Sequence, residues 1–177
     1  MSPEPAITTI TAMAPRDIEA VRAIDQLAYP NPWSVATWRK ELANSDRLHL
    51  VALDGDAVIG HAGLLFVLDE VHVTTVATDP TREGQGIATA LLVHLLSAAR
   101  DHGSTAATLE VRSADQRPQR LYARFGFRPA GVRRSYYQEP ADDGIVMWLH
   151  DLDSPDVADR LSKLGIPSAV AEVRGTT

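Results

Sequence analysis

The sequence predicts an α+β domain whose central sheet is mixed, mostly antiparallel and flanked by helices. Three observations carry this expectation. Helix-period and strand-period segments follow one another in the order ααβββαβαββ. Three strand segments are consecutive, and Asp54-Gly55-Asp56 between the first two is hairpin chemistry. One strongly amphipathic helix then crosses between two strand segments, which makes that pair parallel inside a sheet otherwise built of hairpins.

Taken in order, Pro15 and Asp17-Ile18 open a first helix with Ile18, Val21, Ile24 and Leu27 on one face, ended by Pro30-Asn31-Pro32. Ser34 is placed to cap a short second helix carrying Trp38 and Leu42. Strands are expected at 48–53, 57–68 and 71–78, the last ended by Asp79-Pro80. From Gly86, the apolar positions Ile87, Leu91, Leu92, Leu95, Leu96 and Ala99 define the crossing helix, closed near His102-Gly103. A strand at 106–111, a helix at 116–125 and strands at 132–137 and 144–149 complete the set. The expected organisation is a flexible N-terminus at 1–6, one domain at 7–153 and an appended tail at 154–177, partly helical around 157–164.

A chain of 177 residues buries enough surface to fold without metals or cross-links. It contains no cysteine, which excludes disulfides, thiolate metal sites and cysteine nucleophiles. The six histidines show no pair at metal-ligand spacing, so no metal is expected. Met1-Ser2-Pro3-Glu4-Pro5 has no basic, apolar leader, and no run approaches the roughly 18 apolar residues of a membrane span, so a cytoplasmic protein without membrane contact is expected. The net charge of −6 is unevenly distributed. Residues 138–160 hold seven acids against Arg160, whereas residues 112–134 hold seven arginines against Asp115. The basic block is either a solvated face or a surface for phosphates and acids.

Gly84-Gln85-Gly86-Ile87-Ala88-Thr89 lies between a strand and the start of the crossing helix. A helix start offers unpaired N–H groups and the positive end of the helix dipole, and small residues let phosphate oxygens reach the backbone. A dinucleotide site of Rossmann type is a competitor, with Glu110 as its acid. Against it stand Thr89 in place of the third glycine, the six residues from 78 to 83 ahead of the first glycine, and the preceding hairpins.

Val76-Ala77-Thr78-Asp79-Pro80, followed by residues 84–89 and the apolar helix, resembles the acetyl-CoA motif of the GNAT N-acetyltransferases, and the element order is similar to that fold. Asn31-Pro32-Trp33-Ser34, Leu109-Glu110-Val111-Arg112, the run from Leu121 to Phe127 and Arg133-Arg134-Ser135-Tyr136-Tyr137 are similar to the RimI-type enzymes, which acetylate the N-terminal alanine of a small-subunit ribosomal protein. The resemblance implies acetyl-CoA as co-substrate and the N-terminus of a basic, ribosomal protein as acceptor; no direct binding of nucleic acid is expected, because Leu121, Tyr122, Phe125 and Phe127 between the arginines read as the core face of a helix and strand.

The resemblance implies roles residue by residue. Glu110 would accept the proton of an α-amine, whose ordinary pKa of about 8 makes this a small task, and Tyr122 would protonate the departing thiolate. Backbone groups of Val76, Ala77 and Thr78 would hold the pantetheine arm, and Gly84, Gln85, Gly86, Ile87, Ala88 and Thr89 the pyrophosphate. Asp115 stands where the family has a CoA-contacting asparagine, and Glu83 where it has glutamine or arginine, with Arg82 as a neighbour able to compensate. Trp33, Tyr136 and Tyr137 would line the entry of the acceptor peptide, with Glu70, Asp142 and Asp143 attracting its basic residues. From the residues alone, Glu110 can be a solvent-facing strand position, Tyr122 helix packing and Trp33 a staple for the second helix. Three readings of function are therefore open: an N-terminal acetyltransferase working by direct transfer in a ternary complex, a relaxed enzyme for other N-termini or small amines, and a non-catalytic module that binds acetyl-CoA or RNA.

Overall fold

The computed structural model describes residues 8–165. The expected flexible segment 1–6 and the end of the expected tail, 166–177, lie outside the described residues. The element order is β1 (Thr8–Ala12), α1 (Ile18–Ala28), α2 (Val35–Ala43), β2 (Arg47–Asp54), β3 (Ala57–Val67), β4 (Glu70–Thr78), α3 (Ile87–Asp101), β5 (Ala106–Arg112), α4 (Gln116–Phe125), β6 (Arg128–Gln138), β7 (Ala141–Leu149) and α5 (Pro155–Gly165). The seven strands form one sheet in the order β1-β2-β3-β4-β5-β7-β6. Every neighbouring pair is antiparallel except β4 and β5, the pair joined through α3.

The helices begin and end where the side chains dictate. The Ser34 hydroxyl accepts the Thr37 backbone N–H at 3.1 Å and caps α2. Gly126, at φ +99°, ends α4 in the left-handed region. The two faces of the sheet are covered differently. Leu91, Leu92, Leu95 and Leu96 of α3 pack with Leu50, Leu64, Leu109, Phe125 and Phe127 into the main core. On the other side Met13, Ile18, Val21, Trp38 and Val51 form a smaller one beneath α1 and α2. A buried pair fixes α1 to β3: Asp25 Oδ1 lies 2.6 Å from His61 Nε2, and the two residues are 3% and 0% exposed.

Two features depart from the expected pattern. β1 has only Ile10 buried, so the stretch 8–12 carries too little apolar periodicity to announce a strand. Residues 155–165, set apart in the sequence as part of a tail, form α5, whose Val157 and Leu161 are each 4% exposed within the main core. Arg160 donates to Phe125 O at 3.2 Å, and Arg100 donates to the carbonyls of Leu152 and Ser154, so α5 is held to both α3 and α4. Burying two branched side chains stabilises by about 1.5–3 kcal/mol each. The Leu161→Ala protein is therefore expected to lose about 2–4 kcal/mol in a urea unfolding titration. A loss below about 0.5 kcal/mol, the range of ordinary surface substitutions, would mean that α5 does not belong to the cooperative fold.

Candidate active site

The site begins where β4 and β5 part. Glu70, Val71 and His72 pair with Ala106, Ala107 and Thr108, and the ladder ends there. One residue later β4 bulges: Leu64 and Gly63 on β3 face Val73 and Thr75, leaving Thr74 as the extra residue. Beyond the bulge, 75–78 has β3 on one side and a groove on the other. The groove, about 1500 Å³, is lined by Val76, Ala77, Thr78, Tyr122, Asp115 and the whole turn 84–89. The structure thus brings all the residues expected to hold the cofactor, and the expected acid Tyr122, to one cavity.

Tyr29, at the end of α1, also lines this groove. Its hydroxyl donates to Val76 O at 2.8 Å and lies 3.2 Å from Thr75 Oγ1, which is left to donate in turn. Burial, the largest cause, pushes the Tyr29 phenol above its ordinary value. Nothing in the residue pattern around 29 predicts this contact, because its partner stands 47 residues away.

Gly84 and Gly86 take φ of +78° and +79°, a region open to glycine without strain. Gly86 is the N-cap of α3, and the first bond onto its carbonyl comes from Ala90 N at 3.0 Å, which leaves the N–H groups of 87–89 without helical acceptors. That is a seat for an anion at the positive end of a helix of 15 residues. Glu83 is answered differently from the expectation. Arg82 pairs with Asp54 at 2.7 Å and does not compensate; Arg117 of α4 reaches Glu83 Oε2 at 2.6 Å instead.

Glu110 does not line the groove. It stands on β5 two residues past the last β4 pair, with its carboxylate only 9% exposed. His72 Nε2 lies 2.9 Å from Oε2 and Arg133 Nε 3.3 Å from Oε1, so both oxygens are held. Tyr122 is buried, and its phenol is raised well above the ordinary value, first by burial and then by Tyr29, Tyr137 and Asp115. Tyr137 is pushed up to about 12, mainly by burial, with Glu110 and Tyr29 among the lesser causes. These phenols surround the fork between β4 and β5 and stay protonated at neutral pH.

Of the remaining expected site residues, Tyr137 belongs with the phenols of the fork, and none of the others lines the groove. Trp33 packs edge-on against Trp38 at 4.9 Å, near His49, in the smaller core. Tyr136 and Tyr137 pack on each other at 5.0 Å near the end of β6. Asp142 and Asp143, expected to attract a basic peptide, are committed internally. Asp142 accepts from Ser113 Oγ and from the N–H groups of Ala114 and Asp143; Asp143 accepts from the Ser135 N–H. Sequence reasoning missed His72 and Tyr29; a histidine two residues inside a β-branched strand was the available signal for the first. Among the described residues, no three His, Asp or Glu side chains are grouped to hold a metal, and no helix is long and apolar enough to cross a membrane.

A forked sheet with an anion seat at the head of α3 defines a class, and comparison with known proteins gives it a name. Residues 18–127 match the acetyltransferase (GNAT) family, and the chain belongs to that family. It is an acetyl-CoA-dependent N-acetyltransferase. The [ribosomal protein bS18]-alanine N-acetyltransferase of Escherichia coli is 31% identical over 145 residues, covering 81% of this chain and 97% of that one. The Haemophilus ducreyi protein of the same description is 29% identical over 144 residues, covering 80% and 99%. The crystal structure of the Escherichia coli ribosomal-protein-S18-alanine N-acetyltransferase superposes with a TM-score of 0.76 over 82% of this chain and 94% of that one.

Removing Arg117 would leave the Glu83 carboxylate unanswered beside the anion seat. The Arg117→Ala enzyme is expected to show a KM for acetyl-CoA raised about three- to tenfold with kcat little changed, and a second substitution, Glu83→Gln, is expected to reverse most of that. Steady-state kinetics at low salt decide it; an unchanged KM would mean that the ion pair does not act on the cofactor.

Proposed function

We propose that the protein acetylates the α-amino group of the N-terminal alanine of ribosomal protein bS18, with Glu110 as proton acceptor and Tyr122 as proton donor. The observation that supports this is the fork itself: past the last β4–β5 pair, β5 carries a carboxylate held by His72 and Arg133, and the buried, protonated Tyr122 phenol lines the groove that opens along β4. The acceptor amine loses a proton, through water, to Glu110 and attacks the thioester carbonyl carbon. The C–N bond forms, the C–S bond breaks, and the Tyr122 proton goes to sulfur. No covalent acetyl-enzyme is required, since transfer is direct in a ternary complex. The N–H groups along the free edge of β4 are suited to the carbonyl oxygen as negative charge develops on it. Relatives at about 30% identity and nearly full length support the acceptor.

The 2.9 Å contact between His72 and Glu110 favours a second proton path in which the imidazole takes the proton and Glu110 orients it. The two paths differ in consequence. In the first, Glu110→Gln lowers kcat about 10²–10⁴-fold and His72→Asn only a few-fold; in the second, both substitutions cost comparable amounts.

The acceptor is tested by offering acetyl-CoA with short peptides beginning in alanine, serine or methionine, or with a blocked N-terminus and an internal lysine, and locating the acetyl group by mass. Acetylation of the alanine N-terminus is expected; modification at lysine alone would overturn the proposal. The raised Tyr122 pKa fixes the shape of the pH profile. Activity should rise as the α-amine loses its proton near pH 8 and should hold to beyond about pH 10, because the phenol is still protonated there. Tyr122→Phe is expected to lower kcat at least about 10²-fold with little change in either KM.

A further inference from the structure

The mechanism leaves one part of the groove unused. At its far end, beyond the turn 84–89, the walls are α3, α4 and the last residues of α5: Val93 and His94 on one side, Arg120 and Arg124 on another, and Lys163 with Leu164 closing it. Arg120 and Arg124 are four residues apart on α4 and so project on the same side of that helix. Both are exposed, and among the described residues neither has a carboxylate partner. Lys163 comes to the same end from α5, with its ammonium 2.8 Å from Asp159 Oδ2, an exposed pair that is easily exchanged for a stronger anion. Three cations from two helices thus converge on one cavity, whose lining carboxylates among the described residues are Glu83, paired with Arg117, and Asp115. α5 is not a loose appendage that happens to lie nearby, since Val157 and Leu161 are buried and Arg160 is tied to Phe125 O.

The chemistry of the cofactor states what such a cluster is for. Acetyl-CoA carries a pyrophosphate in the middle and a phosphate monoester on the 3′ position of its ribose, at the end remote from the thioester. With the thioester arm on β4 and the pyrophosphate on the head of α3, the nucleotide is left to the end of the groove that α4 and α5 close. A doubly charged monoester suits guanidinium groups that can grip two oxygens at once, and an ammonium as an added point charge.

We propose that α5 is a wall of the acetyl-CoA site and that Arg120, Arg124 and Lys163 bind the 3′-phosphate of the cofactor. This rests on acetyl-CoA lying in the groove and not on the identity of the acceptor. The cluster makes affinity depend on a phosphate far from the reacting atoms, and gives the C-terminal helix a part in cofactor selection.

Coenzyme A and 3′-dephospho-coenzyme A, titrated calorimetrically into the full chain, separate this phosphate from the rest of the molecule. The unaltered protein is expected to bind coenzyme A about tenfold or more tightly than the dephospho compound. The Arg120→Ala/Arg124→Ala protein should lose most of that preference while its affinity for the dephospho compound stays within about twofold, and Lys163→Ala should lose a smaller share. All three positions are exposed, and matching thermal unfolding curves check that the variants fold. Equal affinity of the unaltered protein for the two compounds would overturn the proposal, as would variants that lose both affinities in parallel. No acceptor enters these titrations, so their failure and the failure of the alanine acceptor are read separately.

Discussion

The active site depends on β4 being unable to stay paired with β5. Three residue pairs join the two strands, and the Thr74 bulge follows immediately. A bulge adds a residue to one strand only, bends it and increases its twist, so β4 swings away while its ladder to β3 continues through Thr75, Val76, Ala77 and Thr78. In a continuous sheet the exposed backbone of 75–78 would be satisfied by the next strand. Here it borders a groove, and one of its carbonyls, Val76 O, is met by Tyr29. Unmade backbone hydrogen bonds are what a peptide-like pantetheine arm can use, and the proposed function assigns this edge to it.

That opening would close by sliding or collapse if the flanking layers were loose, and two different devices hold them. On the α3 side, apolar packing suffices: Leu91, Leu92, Leu95 and Leu96 are fully buried against the sheet. On the α1 side, the layer is thinner and polar groups enter it. The Asp25–His61 pair is a poor source of net stability, because desolvating such groups offsets much of their attraction, but it fixes one angle of α1 over β3. Tyr29 follows directly at the end of that helix, so the buried pair sets where the phenol meets Val76. Trp38 lies edge-on between the rings of His49 and His61, at 5.0 and 5.5 Å, and gives the second helix the same fixed seat.

What was legible in the sequence was whatever local chemistry determines. The Ser34 cap, the glycine turn ahead of α3 and the whole of α4 from Gln116 to Phe125 are each written within a few residues, and the parallel relation of β4 and β5 follows from the helix between them. β1 was not legible, since one buried residue in five makes no pattern. Nor was the compensation of Glu83: its sequence neighbour Arg82 was expected to serve, but Arg82 turns to Asp54, and the partner comes from 34 residues away. His72 and Glu110, and Tyr29 and Val76, are separated in the same manner. Contacts of this kind are decided by how strands and helices stack, and no periodicity encodes them.

The charge pattern shows the same division between local composition and tertiary use. The acidic block from 138 to 160 suggested a patch for a basic partner, yet Asp142 and Asp143 commit their oxygens to the N–H groups of residues 114, 135 and 143 and to Ser113. Arg112, the first arginine of the basic block, donates to the carbonyls of Glu139 and Pro140 and lies 4.2 Å over the Tyr137 ring, so it braces the turn between β6 and β7. Arg133 goes to Glu110, and Arg117 to Glu83. Subtracting the arginines of that block that the fold consumes leaves Arg120, Arg124, Arg128 and Arg134, of which Arg120 and Arg124 on α4 line the groove, while Asp142 and Asp143 are withdrawn into structure. The net charge of −6 therefore says little about what the groove attracts. The field at the binding site is set by the few groups whose partners the fold does not supply, and among the described residues lining the groove these include the cations Arg120 and Arg124 and one carboxylate, Asp115.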